Sequence, residues 1–437
     1  MSDGRTLVAI LMFGTAAVAG PAEAQESSPR ITLEEAIRRA SRAQPGMVQA
    51  LGTVRNAQAR ERAAFGAFLP SLTLGGSLSN SYSAVASRID PATQQIINSS
   101  TNQSVGTSLS SSVDLFTGFR RGNERRAAGA NRTAAEANLE STRFNQQLTT
   151  TNAFFDVLAG EQLLLVRQAS VRRAEEQLKV SVALLQAGRG IRPDSLGSLV
   201  TLGNAQLQLL NAQTDLSVAE ANLGRLVGAD GPVGAVDDSS LYTVLPQVDA
   251  GAIRAEALAQ APSVRAAEAQ STAARAAVGV AKASYFPSLN LGGSISFNGS
   301  RSNDYKFFQQ RQFNIGLSWP LFNRFQREQS VANAVTNAEV ADANSGEARR
   351  QVMADVTAAL ASLEAARLRI GITRTSVVAA LEALRVQQER FRLGAGTIVD
   401  VLTSQESLNQ AEVDSVTARF DYVRARAELS ALIGRPL

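Results

Sequence analysis

Pro70-Ser-Leu-Thr-Leu-Gly-Gly-Ser77 returns 217 residues later as Pro287-Ser-Leu-Asn-Leu-Gly-Gly-Ser294, with seven of eight residues identical. The same offset pairs Pro45 with Pro262. Farther along, Leu115-Phe116 matches Leu321-Phe322 and Phe119 matches Phe325, now at an offset of 206. That second offset holds for Gly188/Gly394, Gly190/Gly396, Asp194/Asp400, Leu223/Leu429 and Gly228/Gly434. One length change of 11 residues between Pro70 and Leu115 reconciles the two registers. A constant offset with a single indel reads as two copies of one structural unit, residues 25–247 and 248–437.

The repeated octapeptide opens a strand-like alternation of period two. Leu72, Leu74, Leu78 and Tyr82 oppose Thr73, Gly75, Ser77, Ser79 and Ser81. Val105, Leu109, Val113 and Leu115 oppose Gly106, Ser108, Ser110 and Ser112. In the second copy, Leu289, Leu291, Ile295 and Phe297 oppose Asn290, Gly292, Ser294 and Ser296. The last run sets Phe313, Ile315, Leu317, Trp319 and Leu321 against Asn314, Gly316 and Ser318. Strands are therefore expected at 70–82, 104–116, 287–298 and 312–321, with polar loops at 83–103 and 299–311. One apolar face and one Ser/Gly/Asn face suit a transmembrane β-barrel with a wet lumen. A soluble sheet half-buried on its own helices is the competing reading. Tyr82 and Trp319 lie near strand ends, where interfacial aromatics are favoured.

Around the strands the period becomes helical. Helices are expected at 31–66 with a break at Pro45, at 120–187, to about 227, at 249–283, at 325–392 and to about 433. A helix of about 67 residues is on the order of 100 Å long, and two of half that length stacked end to end would match it. Leu202, Ala205, Leu209, Ala212, Leu216, Ala219, Leu223 and Leu226 follow 3-4 spacing. Their partners 206 residues on are Leu408, Ala411, Ser415, Ala418, Tyr422, Ala425, Leu429 and Leu432. Such heptads make helices supercoil through knobs-into-holes packing.

Composition removes most catalytic chemistry. The 437 residues contain no His and no Cys, so imidazole bases, thiolate nucleophiles and Cys/His metal sites are excluded. No phosphate loop or nucleophile elbow appears, and no cofactor is implied. The formal net charge is only +4 and no Lys/Arg block stands out, which argues against nucleic acid. Arg5, the apolar run 7–19 and Ala22-Glu-Ala24 read as a secretory signal peptide over residues 1–24. An exported chain with amphipathic strands would cross a membrane by those strands alone. Four strands have two open edges, which lipid does not tolerate, so copies must pool them. Two, three or four copies would give 8, 12 or 16 strands.

The order helix, hairpin, long helix, short helix, written twice, resembles the TolC family of outer-membrane efflux proteins. The matching signals are Phe68-Leu-Pro-Ser71 and Tyr285-Phe-Pro-Ser288 entering strands, Leu115-Phe116 and Leu321-Phe322 leaving them, and the turn Leu393-Gly-Ala-Gly-Thr-Ile-Val-Asp-Val-Leu402. The resemblance implies an α+β membrane protein. Its homotrimer would form a 12-stranded barrel continuous with a coiled-coil tunnel in the periplasm. It implies a non-enzymatic exit duct for drugs or secreted proteins. Partners would be a periplasmic adaptor and an inner-membrane transporter of the RND, ABC or MFS type. A periplasmic coiled-coil adaptor without a pore is the alternative.

The resemblance also places function at the far helical tips. Asp400 matches an acidic pore position, and Asp194 is its counterpart in the other half. Thr403 stands where some relatives carry a second Asp, and Gly396 where some carry an Arg. Arg189 and Arg192 lie in the first tip. Gly188, Gly190, Gly394 and Gly396 form the turns where adaptor hairpins would dock. Rings of carboxylates on a symmetry axis would favour cations. Helix capping after a Gly break explains both Asp residues equally well.

Overall fold

The computed structural model describes residues 29–83, 88, 89, 96, 97, 100–238, 242, 249–301 and 304–437. The expected signal peptide at 1–24 lies outside the described residues. The chain runs β1 (Arg30–Ile31), α1 (Leu33–Ala43), α2 (Pro45–Gly66), β2 (Ser71–Ser83), β3 (Arg88–Ile89), β4 (Ile96–Ile97) and β5 (Ser100–Thr117). Then come α3 (Arg120–Gln186), α4 (Arg192–Val227), β6 (Gly234–Ala235), α5 (Ala250–Gln260) and α6 (Pro262–Lys282). It ends with β7 (Ser288–Ser300), β8 (Phe308–Ser318), α7 (Gln326–Arg392) and α8 (Ile398–Ile433). Among the described residues no helix is long and apolar enough to cross a membrane.

Both long helices have 67 residues and both later helices 36. Helices α1 and α2 divide at Pro45, and α5 and α6 at Pro262. Each Pro occupies the first helical position, where a missing N–H costs nothing and the preceding residue must be extended. The second break is a difference from the single helix expected over 249–283. It arises because Ala261, before Pro262, has ψ 126°.

The helices make one layer with two tiers. In one tier the neighbours run α2, α3, α6, α7; in the other they run α4, α3, α8, α7. Long α3 and α7 pass through both tiers, and the shorter helices stack on one another. The packed face of α4 and α8 is the one carrying the heptads. Ala205, Leu223, Leu226, Leu408, Ala418, Tyr422, Ala425 and Leu429 are all buried. The main core sits where the tiers meet. Phe154, Phe155, Leu158, Leu223, Val233, Val264, Val356, Phe420 and Leu429 converge there. Phe420 lies 6.4 Å from Phe155 and 5.8 Å from Tyr242, and the Arg419 guanidinium covers the Tyr242 ring at 3.5 Å. A parallel bridge of β1 with β6 holds both ends of the first half against this core. Two-residue strands leave too short a pattern to read in advance.

At one end, β2, β5, β7 and β8 form an antiparallel sheet in that order. Among the described residues, β2 and β8 each have a sheet neighbour on one side only. Pairing extends farther than the alternation suggested: Asn298 faces Phe308, and Ser83 faces Ser100. The segment 299–311, expected as a loop, is therefore strand at both of its ends, 299–300 and 308–311. Polar residues pair there because backbone bonding to a neighbouring strand does not depend on side-chain hydrophobicity. A register shift between Asp114 and Phe116 is a bulge, and it sets Phe116 opposite Leu289. Leu115 thus leaves the alternation expected for it.

Candidate functional site

The two ends of the molecule carry the residues that sequence singled out. At the sheet end, register assigns every side chain to a face. Leu74, Leu109 and Ile295 stand in one row, as do Leu291 and Ile315, and Leu289 and Leu317. Among the described residues nothing covers this face: Leu74 is 76%, Phe313 83% and Leu317 72% exposed. The opposite face is hydrophilic. Ser71 and Ser112 hydroxyls meet at 2.8 Å, Ser79 and Ser104 at 2.6 Å, and Asn290 and Asn314 lie over Gly316 and Gly292. A soluble sheet packed on its own helices would show the reverse, its apolar side buried.

Where strand becomes helix, the same corner is built twice. Arg121 donates to the Ala67 and Leu115 carbonyls, both at 3.2 Å, and its guanidinium lies 4.9 Å over Phe68. Arg327 donates to Pro320 at 3.0 Å and Leu321 at 3.4 Å and lies 4.7 Å over Tyr285. Phe119 and Phe325 enter their helices in the left-handed region, φ 66° and 61°. Each meets Phe116 or Phe322 edge-on at 5.3 and 5.5 Å. Gly118 precedes the first, with φ 62°, and a Cβ there would stand 2.6 Å from the Ala283 carbonyl oxygen. Only glycine fits. Phe119, Phe322 and Phe325 join Trp319 as exposed aromatics at this junction, while Tyr82 is exposed near the far end of β2. The alternation singled out Trp319 and Tyr82, and the exposed phenylalanines add to them. Their signal was the repeated Phe-x-x-Phe spacing.

At the other end, α3 and α7 close through the same turn. Gly188 (φ 68°) and Gly394 (φ 75°) follow the helices in left-handed conformation. Arg189 N–H then bonds to Leu184 and Ala395 N–H to Arg390, at 2.9 and 2.8 Å. Gly190 and Gly396 follow, each packed closely on the preceding turn: a Cβ would meet Leu185 N at 3.1 Å or Arg390 Cβ at 3.2 Å.

The next helices begin differently. Thr397 caps α8, and its hydroxyl accepts from Asp400 N–H at 3.2 Å while the Asp400 carboxylate accepts from Thr397 N–H at 3.1 Å. This is a capping box. Hydrogen bonds from the Thr397 hydroxyl and then its N–H hold the Asp400 carboxyl below the usual range. Ile191 occupies the matching position before α4 and supplies no side-chain cap. Among the described residues, the Asp194 carboxylate and the Arg189 and Arg192 guanidinium groups make no hydrogen bond or ion pair. Thr403 is exposed on α8, one turn beyond Asp400. The interiors of the tips differ as well. Leu384, Ile398, Val401 and Leu408 form an apolar cluster in the second, whereas buried Ser181 and Ser198 meet at 2.9 Å in the first. About 20 Å from the tip, Arg173 of α3 ties the hairpins together through Asn409 at 2.7 Å and Glu412 at 2.6 Å.

The capping box carries a pH dependence. Because the folded carboxyl is lowered, its contribution is present above the ordinary carboxylate pKa and lost as pH falls through the lowered value. Asp400→Ala should therefore speed amide exchange at Thr397 and the first turn of α8 at neutral pH. Exchange measured at acid pH, corrected for intrinsic rates, should bring variant and parent together. Asp194→Ala should change nothing comparable in α4.

Comparison with known proteins follows from this geometry. The sequence profile described as "Outer membrane efflux protein" matches residues 36–229 and 253–435. The chain is 26% identical over 322 residues to the outer membrane efflux protein BepC of Brucella suis, covering 74% of this chain and 70% of that one. It is 27% identical over 410 residues to the pyoverdine export outer membrane protein OpmQ of Pseudomonas putida, covering 89% and 82%. The crystal structure of the outer membrane protein VceC from Vibrio cholerae superposes with TM-score 0.75 at 20% identity, over 92% of this chain and 96% of that one.

Proposed function

The chain belongs to the outer membrane efflux protein family, and from that premise we propose that three copies close their sheets into one 12-stranded barrel above a common helical tunnel. It is an outer-membrane exit duct of a tripartite export system, with its helical part in the periplasm. The observation that supports closure is the sheet itself: an exposed apolar face bounded by two edges with no further strand among the described residues. In lipid each unpaired backbone group costs several kcal/mol, so β8 of one copy must meet β2 of the next. Two copies would leave a barrel filled by side chains; three leave a lumen. The flanking helices agree with this arrangement. Helix α4 exposes Leu196, Leu199, Val200, Leu207 and Leu210, and α7 exposes Leu368, Ile372, Val378 and Leu381. In a ring of copies, α4 faces the neighbouring α7.

We read residues 25–247 and 248–437 as two repeats of one unit, supported by equal helix lengths and the twin arginine corners. The reading makes the tips the periplasmic entrance, where Gly188, Gly190, Gly394 and Gly396 shape the turns offered to an adaptor. Through that adaptor, cargo arrives from an inner-membrane transporter, as small molecules or secreted proteins. The channel supplies passage and no catalysis. Asp194 and Asp400, three of each, ring the entrance and favour cations. Arg189 and Arg192 set the opposing charge, and Thr403 leaves the next turn neutral. Bilayer recordings test this. Removing both carboxylates with Asp194→Ala and Asp400→Ala should shift the reversal potential toward lower cation preference. Unchanged selectivity in the double variant would sink the assignment.

A further inference from the structure

The four long strands contain two charged side chains, Asp114 and Arg311. Register puts them on opposite faces. Asp114 faces Asn290 on the hydrophilic side. Arg311 faces Ile295, in the row of Leu109 and Leu74, on the apolar side. It is exposed, and among the described residues its guanidinium makes no hydrogen bond or ion pair. An unpaired arginine on a lipid-facing surface is costly unless something of opposite charge meets it.

Its height identifies what does. From Ser318, where β8 ends at the aromatic corner, seven positions lead along the strand to Arg311. At ~3.3 Å per residue and a tilt of ~40°, that is about 18 Å of membrane normal, against an outer-membrane apolar band of about 25 Å. Phe313, Ile315 and Leu317 fill the interval. Arg311 therefore stands about 7 Å short of the outer boundary of the hydrocarbon, and its long side chain spans that distance to the headgroup layer. Gln309 follows on the same face, and exposed Arg301 adds a second cation at the hairpin tip.

We infer that Arg311 binds a phosphate of an outer-leaflet lipid, with the phosphorylated disaccharide of lipid A as the fitting chemistry. A planar guanidinium grips a phosphate through two parallel hydrogen bonds, which lysine cannot reproduce. The inference rests on the barrel reading above, since only that reading makes this face meet lipid.

The test is native mass spectrometry of the intact assembly in detergent, with bis-phosphorylated lipid A, dephosphorylated lipid A or inorganic phosphate added. Wild type should retain bis-phosphorylated lipid A, and Arg311→Gln should retain about tenfold less while keeping its oligomer. Arg311→Lys should fall between them. Equal retention by Arg311→Gln, or equal retention of the dephosphorylated lipid by wild type, overturns the inference. So does loss of the oligomer in Arg311→Gln, which would assign the side chain to the neighbouring copy. Failure of the barrel reading would look different: the wild type would itself show no oligomer.

Discussion

Phe313→Arg should abolish assembly in the outer membrane, whereas Arg311→Leu should not. The two positions share one strand face, and Phe313 stands at the middle of β8, opposite Gly293 and 83% exposed. A charge at the midplane of a barrel's lipid face costs about 2–4 kcal/mol per subunit. In the proposed trimer three subunits would carry it together, and the long alkyl stem has no nearby headgroup to reach. Heat-modifiable migration of the membrane fraction gives the measurement. The oligomer band should vanish in Phe313→Arg and persist in Arg311→Leu. A normal band for Phe313→Arg would mean that this face does not meet hydrocarbon.

Phe420→Ala should produce the largest loss in the helical part. Phe420 is fully buried where the two tiers join, against Phe155 and Tyr242, and its neighbour Arg419 covers the tyrosine ring. Removing the ring leaves a cavity that rigid helices on every side cannot collapse, at a cost of about 3–5 kcal/mol. Both halves of the chain meet at this point, so the helical unfolding midpoint followed by circular dichroism should fall sharply. Phe420→Leu should recover most of the loss. An exposed apolar residue of similar size, Phe325→Ala, should leave the helical midpoint nearly unchanged.

The long elements were legible because their periods ran for many turns. The break at Gly188 and the start at Arg120 needed only glycine placement and a change from period two to period 3.6. The face of each strand could be read for the same reason, since alternation of Leu with Ser or Gly leaves one register. What escaped were contacts between distant segments. The pairing of β1 with β6 involves two residues from each side, too few for any pattern. The arginine corners escaped because Arg121 and Arg327 look like ordinary surface charges until the chain folds their carbonyl partners around them. Strand ends were read short at Ser300 and Phe308 because hydrophobicity fades there while backbone pairing continues.

At the tips, the two Asp residues occupied matching positions but acquired different surroundings. The sequence already held the cause: Thr397 precedes Asp400 by three residues, and Ile191 precedes Asp194 by three. A hydroxyl can complete a capping box and an isoleucine cannot. Asp400 thus combines a structural role with the proposed role at the entrance, while Asp194 keeps an unengaged carboxylate.

Closure between copies can be measured directly, because a chain without cysteine gives no background. Cysteine pairs placed along the open edges of β2 and β8 and oxidised in isolated outer membranes should link neighbouring copies at the matching register. Shared hydrogen bonding predicts a ladder on denaturing gels of one, two and three chains, ending there. Chains that remain single at every register tested, or a ladder that runs beyond three, would contradict it.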